Sequence, residues 1–210
     1  AISACEKGGQ WQLALNTLAA MTGLDIRPQA SGCNAAISAC EKFGRWRLAL
    51  ALLAAMPELG LVPDVISCSA AISACEKGGC WQLALALLAA MPERRVSPDA
   101  FSCNAAMSAC EKGGRWQAAI ALLAAMPSLS LTPDVVGCNA ALRACERGGR
   151  WRQALALLAD MPGLRVVPDV LTCSTAIGAC EGCGRWRHVL LLLAAMPGLR
   201  TLATRLGPTR

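Results

Sequence analysis

Residues 65–99 read VISCSAAISACEKGGCWQLALALLAAMPERRVSPD, and this stretch decides the fold. Cys68, Ala71, Ile72 and Cys75 fall at i, i+3, i+4 and i+7, the apolar stripe of one helix. Ser67 suits a cap at its start, as do Ser102 and Thr172 in the same place elsewhere, and Gly78-Gly79 closes it with residues that tolerate left-handed backbone. A second helix opens at about Cys80 or Trp81 and runs through Leu83, Leu85, Leu87, Leu88 and Met91. Pro92 then removes a donor and ends it. That helix is apolar almost all round, which is untenable alone in water and expected of one sandwiched between neighbouring helix pairs.

Outward from this stretch the pattern repeats. Trp11, Trp46, Trp81, Trp116, Trp151 and Trp186 stand 35 residues apart, and Glu6, Glu41, Glu76, Glu111, Glu146 and Glu181 keep the same beat. Pro28, Pro63, Pro98, Pro133 and Pro168 make a third column. A fixed period of this length marks a repeat architecture, in which each unit buries its apolar face only against its neighbours. The expected fold is all-α, a right-handed α-solenoid or superhelix of stacked 35-residue helix-turn-helix repeats. Its units are a truncated 1–29, complete repeats 30–64, 65–99, 100–134 and 135–169, a divergent last repeat 170–204 and a tail 205–210. The chain opens inside a unit, so any targeting segment is expected to lie outside it, and the first unit is expected to fray for want of a polar cap.

Composition excludes several classes. With 55% apolar and 16% charged residues the chain is not a disordered one. Apolar runs such as 83–91 stop at proline, well short of the roughly 18 residues a membrane span needs. The 13 cysteines recur mostly in pairs seven apart, such as Cys33 with Cys40 and Cys138 with Cys145. Two helical turns separate such sulfurs by roughly 10 Å, so the members of a pair cannot bridge, and they read as small buried hydrophobes in a reducing compartment. Cys180 and Cys183 form a lone CxxC, and a single histidine, His188, leaves no zinc set to complete. Polar residues that recur in every unit do not make the unique constellation catalysis needs. No catalytic residue, metal, cofactor or small-molecule substrate is expected, and the chain is not expected to be an enzyme.

The unit at 65–99, with its Cys-Glu-Lys-Gly-Gly turn, its Trp-led second helix and its closing Val96-Ser-Pro-Asp99, resembles the P-type pentatricopeptide repeat, over residues 1–204. Cysteine stands where that family usually has tyrosine early in the first helix, and proline closes the second helix early. The resemblance implies binding of single-stranded RNA, one base per repeat, read by the fifth and last residues of each unit. Those are Asn34 with Asp64, Ser69 with Asp99, Asn104 with Asp134, Asn139 with Asp169, and Ser174 with Thr204; the truncated unit keeps only Gln29. By the family's code Asn with Asp favours uracil and Ser with Asp guanine, so units two to five would read 5′-UGUU-3′. On the residues alone, Asn, Ser and Asp at these places are also ordinary helix caps.

The resemblance further implies that the second residues, Ile66, Phe101, Val136 and Leu171, wedge between bases, with Ser31 the exception. It gives Lys42, Lys77, Lys112 and Arg147 to phosphate, although cations at a helix C-terminus equally answer the dipole. Arg45, Arg115, Arg150 and Arg185 form another basic row before the tryptophans, suited to anion attraction or to stacking on Trp. The rival is a protein-binding tetratricopeptide-like scaffold, which would keep a 34-residue beat. Family habit places the protein in an organelle, the plastid (chloroplast) first and the mitochondrion as the alternative, acting in RNA processing, stability or translation, without a membrane partner.

Overall fold

The computed structural model describes residues 10–23 and 28–184 of the chain. Ten α-helices and no strand occur among them. The first helices of successive units are α2 (Ala30–Lys42), α4 (Val65–Lys77), α6 (Ala100–Lys112), α8 (Val135–Arg147) and α10 (Val170–Glu181). The second helices are α1 (Trp11–Gly23), α3 (Trp46–Ala55), α5 (Trp81–Ala90), α7 (Trp116–Ala125) and α9 (Trp151–Asp160). Consecutive first helices pack directly on one another, α3, α5, α7 and α9 each lie against their own first helix and the next one, and α1 lies against α2. The first helices therefore form the tightly spaced inner row of an all-α solenoid, and the second helices splay along its outside.

Capping sets where each first helix begins. The caps are Asp64, Asp99, Asp134 and Asp169, each accepting from a backbone N–H three residues on. Ser67, Ser102 and Thr172 are thus not the caps expected from the sequence. They stand at the third helical position and accept in return from the backbone N–H of the aspartate, completing a capping box. Each such cap contributes about 1 kcal/mol to its helix. Gln29, which precedes α2, makes no side-chain cap bond.

The glycine pair at the turn has two jobs rather than one. Gly79 takes φ +71°, the left-handed geometry read from the sequence, while Gly78 stays right-handed at φ −81°. Gly78 is needed because a Cβ there would overlap the Trp46 ring, and Gly113 meets Trp81 in the same way. Trp46, Trp81 and Trp116 are each half-buried on the turn of the following unit.

The core is the stripe read from the sequence: Cys68, Ala71, Ile72 and Cys75 are buried, as are their counterparts in α2, α6 and α8. Small Ala and Cys side chains let the first helices approach closely. The second helices are less sandwiched than their composition suggests. In α5 only Ala84 and Leu88 are fully buried, and Leu83 remains 38% exposed. Pro92 opens a short 3-10 turn, Pro92–Arg94, after which Arg95 adopts φ +59°; Ser130 and Arg165 do the same one and two units later.

All twelve described cysteines are free thiols. Burial pushes Cys110 and Cys145 up to about 11, and it does the same for Cys75 with help from Cys80 and for Cys138 with help from Asp134. These thiols are therefore protonated and poor nucleophiles near neutral pH. Cys183 donates to the Gly149 carbonyl at 3.4 Å, and no group of metal-ligating side chains forms among the described residues. No described helix is long and apolar enough to cross a membrane. His188 and Arg185 lie outside the described residues.

Candidate nucleic-acid interface

A unit's fifth and last residues are thirty positions apart in the chain, yet they meet. The last residue caps the next first helix, and that helix starts beside the fifth residue of the one before. Asn34 Nδ2 donates to both carboxylate oxygens of Asp64, at 3.2 and 2.9 Å, and Asn104 Nδ2 to both of Asp134, at 3.0 and 3.0 Å. Asn139 Nδ2 reaches one oxygen of Asp169 at 3.4 Å. Capping and pairing thus coexist in one aspartate: Asp64 Oδ1 also accepts from the Ser67 backbone N–H at 2.8 Å.

These bonds set the charge. Burial raises the Asp64 carboxyl, but the N–H of Ser67, the Asn34 amide and the Ser67 hydroxyl together hold it below the ordinary aspartate value. Asp169 is also lowered, chiefly by the backbone and hydroxyl of Thr172. Asp64, Asp134 and Asp169 thus each hold the donor end of an asparagine amide, which leaves the asparagine Oδ1 to point elsewhere.

Three polar atoms along this row are buried without a partner: Asn34 Oδ1, Ser69 Oγ and Asn104 Oδ1. Such orphans are uncommon in a native fold and cost about 1–3 kcal/mol each. Ser69 and Asp99 belong to a cleft of about 220 Å³ that Ile66, Phe101, Ser38 and Glu41 also line. Ile66, Phe101, Val136 and Leu171 are 58, 58, 56 and 47% exposed, an apolar row one unit apart in open solvent. Ser31 is also exposed. At the last unit Ser174 is exposed and its Oγ donates to the Leu171 carbonyl, while Thr204 lies outside the described residues.

The basic row at the far end of the first helices is engaged within the protein. Lys77 Nζ pairs with Glu41 at 2.9 Å, Lys112 Nζ with Glu76 at 2.7 Å, and Arg147 with Glu111 at 3.4 Å. Each glutamate also takes a second side chain from the next unit: Ser73, Ser108 or Arg143. This inter-unit ladder went unread in the sequence, although a glutamate keeping the 35-residue beat directly before a cation was its signal. Lys77 and Lys112 remain 38% and 40% exposed and Arg147 55%, so they face solvent even while paired. Lys42 is exposed at the same register.

The second basic row stacks. Arg45, Arg115 and Arg150 lie over Trp11, Trp81 and Trp116 of the preceding unit, at 5.1, 4.5 and 5.3 Å. Cys80 stands in the arginine's place in its unit, and Trp46 is instead covered by Arg47 at 4.9 Å.

Residues 17–77 and 51–113 match the pentatricopeptide repeat domain, 133–181 the PPR repeat family and 101–131 the PPR repeat. No curated protein matches the chain. Among solved structures, the maize pentatricopeptide repeat protein PPR10 superimposes with a TM-score of 0.74 at 24% identity, over 99% of this chain. The same protein in complex with an 18-nucleotide psaJ RNA element gives 0.68 at 21% over 100% of this chain. The chain spans 29% and 33% of those two structures. The PPR domain of Arabidopsis thaliana protein-only RNase P 1, in complex with tRNA, gives 0.67 at 17%, over 80% of this chain and 86% of that one. At these identities the likeness is one of fold.

Proposed function

The chain belongs to the pentatricopeptide repeat family, and from that premise we propose that its inner face binds single-stranded RNA, one base per repeat. The observation that carries this reading is the cleft that Ile66 and Phe101 line together with Ser69 and Asp99, with Ser69 Oγ buried and unpartnered. A flat base between two apolar side chains, its edge turned to a hydroxyl and a carboxylate, fits that arrangement. Spacing agrees with it. Packed helices stand about 8–10 Å apart, whereas stacked bases rise about 3.4 Å, so bases seated on successive first helices cannot stack on each other. The exposed Ile66, Phe101, Val136 and Leu171 would fill the gaps between them.

Charge polarity supplies a direction across the groove. Aspartates crowd the N-terminal ends of the first helices, and Lys42, Lys77, Lys112 and Arg147 the C-terminal ends. Base edges with N–H donors would face the first row and phosphates the second. In this reading Asn34, Asn104 and Asn139, each with its aspartate, take uracil and Ser69 with Asp99 takes guanine, giving 5′-UGUU-3′. The protein would act on organellar transcripts, in plastids before mitochondria; a fluorescent fusion of the full-length protein found in the cytosol would end that part.

Fluorescence anisotropy with short RNAs tests the code. A UGUU core is expected to bind more tightly than a scrambled core, and equal affinities would sink base reading. Asp99→Asn is expected to move the second base from guanine toward adenine and leave the others unchanged. No shift would return Ser69 and Asp99 to a purely structural role.

A further inference from the structure

The three asparagine slots are alike in sequence and unlike in their hydrogen bonds. Asn34 and Asn104 give Nδ2 to both oxygens of their aspartates, and their Oδ1 atoms are buried without a partner. Asn139 holds Asp169 through one oxygen at 3.4 Å, and its Oδ1 accepts from the Thr172 hydroxyl at 2.7 Å. What differs is the third residue of the following unit: Ser67, Gly137 or Thr172. Ser67 keeps its hydroxyl on its own helix end, donating to the Asp64 carbonyl and accepting from the Asp64 N–H, both at 2.9 Å. Gly137 offers no side chain, and a Cβ there would come within 2.6 Å of Asn104 Oδ1. Thr172 Oγ1 lies 2.7 Å from Asn139 Oδ1 and 2.7 Å from Asp169 Oδ1, and its single proton serves one of them at a time.

We propose that this third residue sets how strongly an asparagine slot reads its base: Ser67 and Gly137 leave the asparagine carbonyl oxygen unpaired, so that a base N–H seated against it meets no competitor, whereas Thr172 occupies it. The inference rests on the one-base-per-repeat reading. Uracil presents an N–H at N3 where cytosine presents a bare acceptor, so an open Oδ1 rewards uracil and rejects cytosine. A buried acceptor that is orphaned in the free protein gains a full hydrogen bond when uracil arrives. Asn139 Oδ1 already has its bond, so uracil must share or displace Thr172 and gains less. Thr172 is a positioning residue, acting through Asn139 and Asp169 rather than on the base.

The test uses the whole 210-residue chain and RNAs carrying UGUU between oligoadenylate flanks, with uracil changed to cytosine at the first, third or fourth position. The quantity read is the ratio of dissociation constants, cytosine over uracil, at each position. In the wild type it is expected to be about tenfold larger at the first and third positions than at the fourth, the worth of one such hydrogen bond. Thr172→Ala and Thr172→Gly are expected to raise the ratio at the fourth position alone. The glycine variant keeps the Asp169 backbone cap in the form Asp134 already uses over Gly137. Equal wild-type ratios at the three positions, an unchanged fourth position in both variants, or a shift common to all positions would overturn the proposal while leaving base reading intact. Ratios of one everywhere would overturn base reading, and this inference with it.

Discussion

Gly113 shows how one missing atom fixes the joint between two units. Its φ of −83° is open to any residue, yet a Cβ would strike the Trp81 ring, so a repeat-long chain of contacts depends on a hydrogen in that place. Gly113→Ala is therefore expected to destabilise the chain by about 1–3 kcal/mol through overpacking, read as a lower midpoint in urea unfolding. Arg95 is the opposite case, a side chain held at φ +59° where the equivalent residue one unit earlier is Gly60 at φ +71°. Arg95→Gly relieves a left-handed strain of about 1–2 kcal/mol and gives back part of that in chain entropy, so a gain of about 0.5–1 kcal/mol is expected. An Arg95→Gly variant no more stable than the parent would mean the turn absorbs the strain. The glycine pair was legible as a helix stop, but not the separate reason for its first member. That reason lies on a tryptophan in the preceding unit, and local propensity carries no trace of it.

At the scale of the helices, the glutamate ladder decides what the basic row can do. Glu76 holds Lys112 at 2.7 Å and also accepts from Ser108, tying α4 to α6. Exposed pairs of this kind contribute about 0–1 kcal/mol, so the ladder is a weak clamp, but it occupies cations that a phosphate would want. A phosphate reaching Lys112 must displace a carboxylate as well as counterions. Glu76→Gln is accordingly expected to change stability little, to tighten RNA binding and to steepen the slope of log K against log salt by up to about 0.7, the share of one phosphate contact on a single strand. An unchanged slope would assign Lys112 to the ladder alone. The sequence made the helices, their ends and the buried stripe of Cys68, Ala71, Ile72 and Cys75 readable, because a single helix's periodicity encodes them. The ladder and the Asn34–Asp64 pair join residues 36 and 30 positions apart, and only the docking of one unit on the next brings them together.

For the molecule as a whole, the period of 35 was the most legible feature, because every unit must offer its neighbour the same surface. The same regularity makes pH act on several units at once. At the acid end, Asp64 and Asp169 are held below their ordinary value in the fold. Their contribution is present above the unfolded carboxyl value of about 3.9 and is lost as pH falls through the lower folded value. At the alkaline end the sign reverses. The Cys75, Cys110, Cys138 and Cys145 thiols are raised to about 11 by burial, against about 8.5 in an unfolded chain. Above about pH 8.5 the unfolded state releases protons that the folded state retains, so stability falls with rising pH until the folded thiols ionise near 11. Because each unit leans only on its neighbours, thiols distributed along α4, α6 and α8 weaken consecutive interfaces together rather than a single end. Thermal melting followed by circular dichroism under reducing conditions is expected to show a level midpoint from about pH 6 to 8 and a steep drop between about 9 and 11. The deciding comparison is a chain with Cys110→Ala and Cys145→Ala. Each alanine leaves a small void, lowering the midpoint at neutral pH, but the alkaline drop itself should shrink. A drop of unchanged size would mean that the buried thiols do not set the alkaline limit.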